Sequence, residues 1–288
     1  MKQFGAFFAL ASLISFTAHA GQSMITESEG SACIGNGVSV SDIEQSALTD
    51  AKRNAASKTH TYIQSDLGVS DVALSADLLA AYDEAQVNVL QDLKDEWYKD
   101  KNSRDCYRVK LKLEIIPDER VIAKKAKKNG SPTNDPSYPL GISVWMDKDV
   151  YMQGEIMKIF VKANKPFYAN VVYKQADGSL LQLLPNHVRN SSYFSGGVVY
   201  EIPSREDHFD LEVAKPFGFE NVTVYASTSP LGALDLRPFG RFFSIAMERS
   251  DIPLATRNVI FDMKKNGKAI AEFAEATASA VTRASASQ

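Results

Sequence analysis

The sequence predicts an α+β fold in which a small α/β module, a helix on an antiparallel sheet, is followed by an all-β, sandwich-like module. Two patterns support this prediction. Apolar residues recur at helical spacing within residues 42–58, whereas residues 140–250 contain many short stretches in which apolar and polar residues alternate. Residues 117–139, which are rich in proline and lysine, separate the two patterns and are predicted to be a linker. We therefore assign the α/β module to residues 21–116 and the β module to residues 140–250.

Residues 1–20 have the three-part pattern of a secretory signal peptide. Lys2 gives a positive start, residues 4–16 form an apolar core, and Ala18-His19-Ala20 offers small residues at the cleavage positions. This core is shorter than the roughly 20 residues that a membrane-spanning helix needs. We therefore expect cleavage after Ala20 and a soluble product in the periplasm, or outside the cell.

The amino-terminal module is predicted to begin with a short strand at residues 31–34. Residues 41–44, Ser-Asp-Ile-Glu, have the form of a capping box, in which Ser and Glu satisfy the free amides at a helix start. The helical spacing of apolar residues then extends over 42–58. Residues 62–65 are predicted to be a further strand.

The second half of this module is less regular in sequence. Residues 71–85 are predicted to be a loop with a short helix. Residues 86–98 fit either a helix or a strand, and we favour a hairpin with residues 106–116 through the polar turn at 99–105.

The two cysteines of the chain, Cys33 and Cys106, are predicted to form a structural disulfide. In an exported protein two cysteines are more often bridged than free. Cys106 shares the polar face of its strand with Arg108 and Lys110, and Cys33 likewise faces away from its apolar neighbour Ile34. Because side chains alternate between faces along a strand, both sulfurs fit one side of a shared sheet.

The β module is predicted to contain many short strands separated by turns. Apolar and polar residues alternate in 142–146, 157–163, 209–213 and 222–226, residues 167–174 are aromatic and β-branched, and residues 179–184 follow a turn. Asp177-Gly178 is typical of a tight turn between two of these strands. The tail at 251–288 becomes alanine-rich from Ala269, and we expect it to be helical at first and disordered from Thr277 onward.

Several segments of the β module recur in a known order. They are residues 151–155, 167–173, 177–186, 197–203 and 209–227. In the order and spacing of these segments, residues 142–230 resemble the bacterial family catalogued as domain of unknown function 4384. The resemblance implies a β-sandwich-like accessory domain and implies no particular activity.

The amino-terminal module carries a second resemblance. Residues 29–34, the helix at 42–56 and the alternating strand at 107–113 are similar to the amino-terminal domain of flagellar assembly protein T and of related envelope lipoproteins. The resemblance implies a small α/β unit that joins periplasmic assemblies. After residue 117 the chain departs from that protein, since the β module stands where its later domains would follow.

The sequence gives little support to cofactor or nucleic-acid binding. Gly35 and Gly37 precede a helix as in a dinucleotide-binding turn, but Val40 stands where the third glycine of that fingerprint is needed. The formal net charge of −3 gives no reason to expect a nucleic-acid partner. We therefore expect a plain turn at Gly35, no cofactor and no nucleic acid.

No catalytic or metal-binding set converges in the sequence. Ser204, Asp207 and His208 include the residue types of a hydrolase triad, but their spacing is typical of a polar turn before a strand. No two histidines lie within four residues of each other, so no helix presents a histidine pair to a metal ion.

Aromatic side chains cluster in the predicted loops of the β module. They are His187, Tyr193, Phe194, Phe217 and Phe219. Such residues act as recognition anchors in some proteins, and in others they fold back to cover the ends of the core. Both alternatives stay open at the level of sequence.

These observations favour a non-enzymatic periplasmic protein that binds or assembles with an envelope protein or a glycan. One alternative is a periplasmic hydrolase acting on an envelope component, which predicts a deep polar cleft between the two modules. Another is an accessory subunit of a flagellar or secretion-associated assembly.

Overall fold

A computed structural model shows a protein built mostly from β-strands. The structure describes residues 20–285 except 36, 66, 68–71, 84, 119, 121–133 and 262–269. The predicted signal peptide up to residue 19 and most of the predicted linker therefore lie outside the described residues. None of the helices within the described residues is long and apolar enough to cross a membrane.

The elements of the amino-terminal part are mostly long. They are β1 (Ala20–Cys33), α1 (Val40–Ser65), α2 (Val72–Asp83), β2 (Gln86–Lys99) and β3 (Asp105–Ile116). The remaining strands are β4 (Ile142–Met146), β5 (Val150–Met152), β6 (Ile159–Ala163), β7 (Phe167–Lys174), β8 (Leu180–Leu184), β9 (Tyr193–Phe194), β10 (Tyr200–Ile202), β11 (Phe219–Ser227), β12 (Leu236–Phe239), β13 (Phe242–Ile245) and β14 (Ile270–Arg283). A short helix, α3 (Ile252–Arg257), precedes β14.

One large sheet runs through both predicted modules. Its eleven strands follow the order β12-β13-β8-β7-β11-β14-β1-β3-β2, with β5 paired to β14 and β9 paired to β7. Strands β10, β6 and β4 form a second sheet of three strands. Strand β14 lies between β1 and β11 and pairs with both, so the end of the chain joins the two parts in one sheet.

The strand β14 corrects the prediction of a helical and then disordered tail, because residues 270–283 are extended. Alanine has a high helix propensity, but here the small side chains of Ala274, Ala276 and Ala280 are buried in the same core as Ile142 and Val144 of β4. Tertiary packing has therefore overridden the local preference.

Helix α1 packs against β1 and β3 in the amino-terminal part. Gly30 of β1 lies so close to the helix that an added Cβ would come within 2.2 Å of the Ala47 carbonyl oxygen. The helix continues through residues 62–65, where the sequence predicts a strand. Thr59, Tyr62 and Ile63 extend the buried face of the helix at its own spacing, which explains the difference.

The predicted hairpin and disulfide are both confirmed. Strands β2 and β3 pair antiparallel, with Trp97 opposite Tyr107. Strand β1 pairs with β3 on the other side, and in this register Cys33 lies directly opposite Cys106, to which it is bonded. Strand β1 begins at Ala20, well before the short strand that the sequence predicts at 31–34.

The second face of this region is covered by α3 and the residues that follow it. Arg257 of α3 donates from Nε to Oε1 of Glu114 at 2.7 Å, and Lys112 donates to Asn258 and to the carbonyl of Val259. Lys112 and Glu114 of β3 are buried, and these partners satisfy their charged groups.

In the carboxyl-terminal part the three-stranded sheet packs on the large sheet around one apolar core. The predicted strands at 142–146 and 167–174 match β4 and β7 in extent, and the one at 222–226 lies inside β11. The prediction of a strand at 209–213 was wrong, since this segment forms only an isolated bridge, between Ile156 and Glu212. Leu211 and Val213 form backbone hydrogen bonds with residues 154–157, and most of the segment lines a cavity.

Candidate functional site

The five predicted recognition residues do not form one surface. Tyr193 and Phe194 pair with the first two residues of β7. Phe219 begins β11, whose Asn221 pairs with the last residue of β7. The eight residues of β7 span roughly 23 Å at about 3.3 Å per residue, so the two groups lie at opposite ends of the sheet.

Phe194 is a core residue. Its side chain is 2% exposed and stacks on Phe167 with ring centroids 5.1 Å apart, while Tyr200 contacts it edge to face. The Arg189 guanidinium lies 4.8 Å from its ring centroid. Of the two alternatives for this residue, the structure therefore supports the covering of the core, and Phe194 is not accessible to a partner.

The other predicted aromatic residues differ in exposure. Tyr193 is 51% exposed and Phe219 is 67% exposed. Phe217 is half-buried against the core, and the exposed His187 has its ring centroid 4.1 Å from that of Phe243. A recognition role remains a prediction for these four residues.

Ser204, Asp207 and His208 form a polar turn. Asp207 is fully buried, accepts a hydrogen bond from the backbone N–H of Ser204 at 2.6 Å, and lies 3.5 Å from Arg189. Arg241 donates to the backbone carbonyl of His208. Within the described residues, no hydrogen bond joins the His208 imidazole to Ser204 or Asp207, so no triad is assembled here.

A cavity of about 220 Å³ lies on the large sheet where β7, β8 and β11 are neighbours. The segment 209–216 and the β12–β13 hairpin cover it. Its apolar lining consists of Met157, Leu181, Leu211, Val213, Ala214, Pro216, Phe239 and Phe242. Its polar lining consists of Tyr173, Gln175, Asp210, Glu212, Lys215 and Glu220. We call it the Glu220 cavity, because Glu220 is the most buried charged residue of its lining.

Strand register brings the polar groups of this cavity together. Tyr173 lies opposite Val222, so Glu220, two residues earlier on β11, is its diagonal neighbour on the same face. On the other side of β11, Glu220 lies opposite Ala280, which makes Thr282 of β14 its second diagonal neighbour. Tyr173 donates a hydrogen bond to Oε2 of Glu220, and Thr282 donates to Oε1 at 3.2 Å.

Burial dominates the electrostatics of this pair. Glu220 is 5% exposed, and this burial raises the pKa of its carboxyl above the ordinary value, even though the hydrogen bonds from Tyr173 and Thr282 favour the ionised form. The charge of Asp177 raises the pKa further. Burial, followed by the neighbouring Glu220, also raises the pKa of Tyr173, so the phenol stays protonated and remains a donor.

The rim of the cavity is acidic. Asp210 and Glu212 are exposed there, together with the single basic residue Lys215. In the described part of the chain none of these three residues forms an ion pair, and Glu220 has hydroxyl donors but no cationic partner. The lining thus carries three carboxyl groups and one ammonium group, a balance of ionisable groups that favours a cation.

The cavity is lined mainly by apolar side chains, with a few polar ones. Among the described residues that line the cavity there is no serine, threonine, cysteine or histidine. Apolar walls with a few polar groups are typical of binding sites. The arrangement can therefore hold a small group by packing and charge.

The Glu220 cavity was not found from the sequence, although one signal was present. Val222, Val224 and Ala226 form the buried face of β11, and continuing this alternation backward places Glu220 on the same face. A carboxylate at a core-facing position of an otherwise apolar strand is uncommon. Tyr173 continues the buried face of Ala169 and Val171 in the same way.

A second buried carboxylate lies where the two parts of the molecule meet. Glu272 of β14 accepts hydrogen bonds from the Tyr62 hydroxyl at 2.6 Å and from the backbone N–H of Leu140. Lys165 lies 2.9 Å from its Oε2. At this point the junction is filled by paired side chains rather than by a deep polar cleft, the feature that the hydrolase alternative predicts.

Residues 150–230 match the family described as domain of unknown function DUF4384. This match confirms the predicted resemblance of the β module, and it includes the cavity-forming strands β7, β8 and β11 and the segment 209–216. No curated protein matches the chain. The predicted likeness of the amino-terminal part to flagellar assembly protein T gains no support from these comparisons.

Proposed function

We propose that this chain is a non-enzymatic binding or assembly protein of the periplasm, and that it holds a group of another envelope component in the Glu220 cavity. The observation that carries the proposal is an apolar cavity with a buried, hydrogen-bonded carboxyl group, and most of the cavity lining lies inside the family-matching region. A binding role agrees with apolar walls that carry a few polar groups.

Two features favour the periplasm as the compartment. Residues 1–20 have the pattern of a cleavable signal peptide. Cys33 and Cys106 are joined by a disulfide, which persists in oxidising compartments and is rare in the cytosol.

The cavity is large enough for one small group of a partner molecule and too small for a whole drug-sized ligand. Its volume of about 220 Å³ lies below the roughly 300–1,000 Å³ of pockets that hold drug-sized ligands. A single side chain, or the end of a chain-like molecule, fits such a volume. Phe239 is 57% exposed at the cavity, so a bound partner would also contact the outer face of the β12–β13 hairpin.

Site-specific crosslinking in living cells tests this proposal. A photoreactive phenylalanine analogue replaces Phe239 in the full chain, and a matched control carries it at Leu254, an exposed apolar residue of α3. We expect an adduct with one envelope protein or glycan from position 239 and none from position 254, as identified by mass spectrometry. Equal adducts from both positions, or turnover of a glycan, peptide or ester by the purified chain, would contradict the proposal.

A further inference from the structure

We infer that the group held in the Glu220 cavity is a cation on an aliphatic stem, as in a lysine side chain of a partner protein. This inference rests on the proposed function and names the chemistry of the group that the same site takes. Its basis is the combination of apolar walls with a carboxylate that has unused acceptor capacity.

The acceptor capacity of Glu220 follows from counting its hydrogen bonds. An ionised carboxylate has about four lone-pair sites. Two of them are occupied, by the hydroxyl groups of Tyr173 and Thr282. An ammonium group has three donors and no acceptor, so it complements the remaining sites, whereas an anionic ligand would meet an unfavourable charge.

The walls of the cavity fit the stem of such a ligand. Leu211, Val213 and Phe242 offer apolar surface in the lining that also contains Glu220. Lysine side chains pack their methylene groups along apolar surface of this kind while the charged end reaches a polar partner. A ligand without the aliphatic stem would leave these walls exposed to water. A ligand without the positive charge would leave the Glu220 carboxylate without an oppositely charged partner.

The charges around the cavity favour the same ligand. The groups that face Glu220 are Tyr173 of β7, Thr282 of β14, the Asp177 turn, and Asp210, Glu212 and Lys215 on the covering segment. Lys215 is the single cation among them, and it is exposed. An incoming cation therefore gains from the acidic rim before it reaches the buried carboxylate.

A peptide pair gives the direct test. The probes are acetyl-Gly-Lys-Gly-amide and the same peptide with norleucine, which keeps the aliphatic stem and removes the charge. Binding to the full mature chain is followed through the amide resonances of residues 210–215 in two-dimensional NMR spectra. We expect the lysine peptide to bind at least tenfold more tightly than the norleucine peptide at pH 7.5.

Two variants distinguish the origin of that preference. Glu220→Gln keeps the size of the side chain and an acceptor for Tyr173, while its NH2 group can donate to the Thr282 hydroxyl. We expect this variant to abolish the preference for lysine. Glu248→Gln removes an exposed carboxylate outside the cavity, and we expect no change. Lysine binding to the unmodified chain should also weaken at pH 5, where Glu220 is protonated to a greater extent.

The failure of this inference is distinguishable from the failure of the proposed function. The inference of a cationic ligand would be overturned if both peptides bind equally, if neither binds, or if Glu220→Gln keeps the preference for lysine. If the crosslink from position 239 is nevertheless specific, the cavity is still a binding site, and its ligand is of another class.

Discussion

Two buried carboxylates on the same face of the large sheet have different surroundings. Glu272 of β14, at the junction of the two parts, has Lys165 as a cationic partner and hydrogen bonds from Tyr62 and Leu140. Glu220 of β11, in the cavity, has hydrogen bonds from two hydroxyl groups and no cation among the described residues. The difference separates a carboxylate that holds the fold together from one that is available to a ligand.

The structural role of Glu272 predicts the largest effect. Glu272→Gln removes the charge opposite Lys165, whose side chain is 12% exposed. Breaking a buried ion pair on one side typically costs about 3–5 kcal/mol, because the other charge stays buried without a partner. We expect a loss of this size in the free energy of unfolding, measured by urea denaturation. A loss below about 1 kcal/mol would show that Glu272, like Glu220, contributes little to the stability of the fold.

Removal of the disulfide in the amino-terminal part is expected to cause a smaller loss of stability. The double variant Cys33→Ser/Cys106→Ser removes a link between residues 73 positions apart in sequence. We expect the free energy of unfolding to fall by about 2–4 kcal/mol, while the peptide preference of the cavity stays unchanged. A lost preference in a folded double variant would show that the two regions are coupled.

Glu220→Gln predicts the smallest change in stability. The neutral amide still accepts from Tyr173, and its NH2 group can donate to the Thr282 hydroxyl in place of the bond that Thr282 donates to Glu220, so we expect a change of less than about 1 kcal/mol at pH 7. A destabilisation comparable to that of Glu272→Gln would assign Glu220 a structural role.

The same variant also changes the dependence of stability on pH. The folded-state pKa of Glu220 lies above its ordinary value of 4.5, so the native chain binds more protons than the unfolded chain between these two values. Stability from this group is therefore present below the ordinary pKa and is lost as the pH rises through the raised one. We expect urea midpoints measured across this range to show that decline in the unmodified chain, and to show less of it in Glu220→Gln.

Local patterns in the sequence predicted much of the fold. The alternation in residues 106–116 predicted which face of the strand carries Cys106, and this placement supported the predicted disulfide. The tight turn at Asp177-Gly178 correctly separated β7 from β8. These features depend on residues that are close in sequence or on the two-residue period of a strand.

Features that depend on distant partners were missed. The alanine-rich β14 has helical propensity, and its strand conformation comes from pairing with β1 and β11. Tyr173 and Glu220 are separated by 47 positions, and Glu272 and Tyr62 by 210 positions. The charged residue on the buried face of β11 was a local signal for the cavity, but its neighbours became evident only with the strand order.

The most direct test of an available carboxylate at Glu220 is its own titration. Carbon-13 NMR of the side-chain carboxyl, assigned with Glu220→Gln, gives the pKa in the free chain and in the presence of saturating lysine peptide. We predict a pKa above the ordinary 4.5 in the free chain and a lower value in the complex, because a bound cation favours the ionised form. A pKa that stays the same when the peptide is bound would contradict a cation site in this cavity.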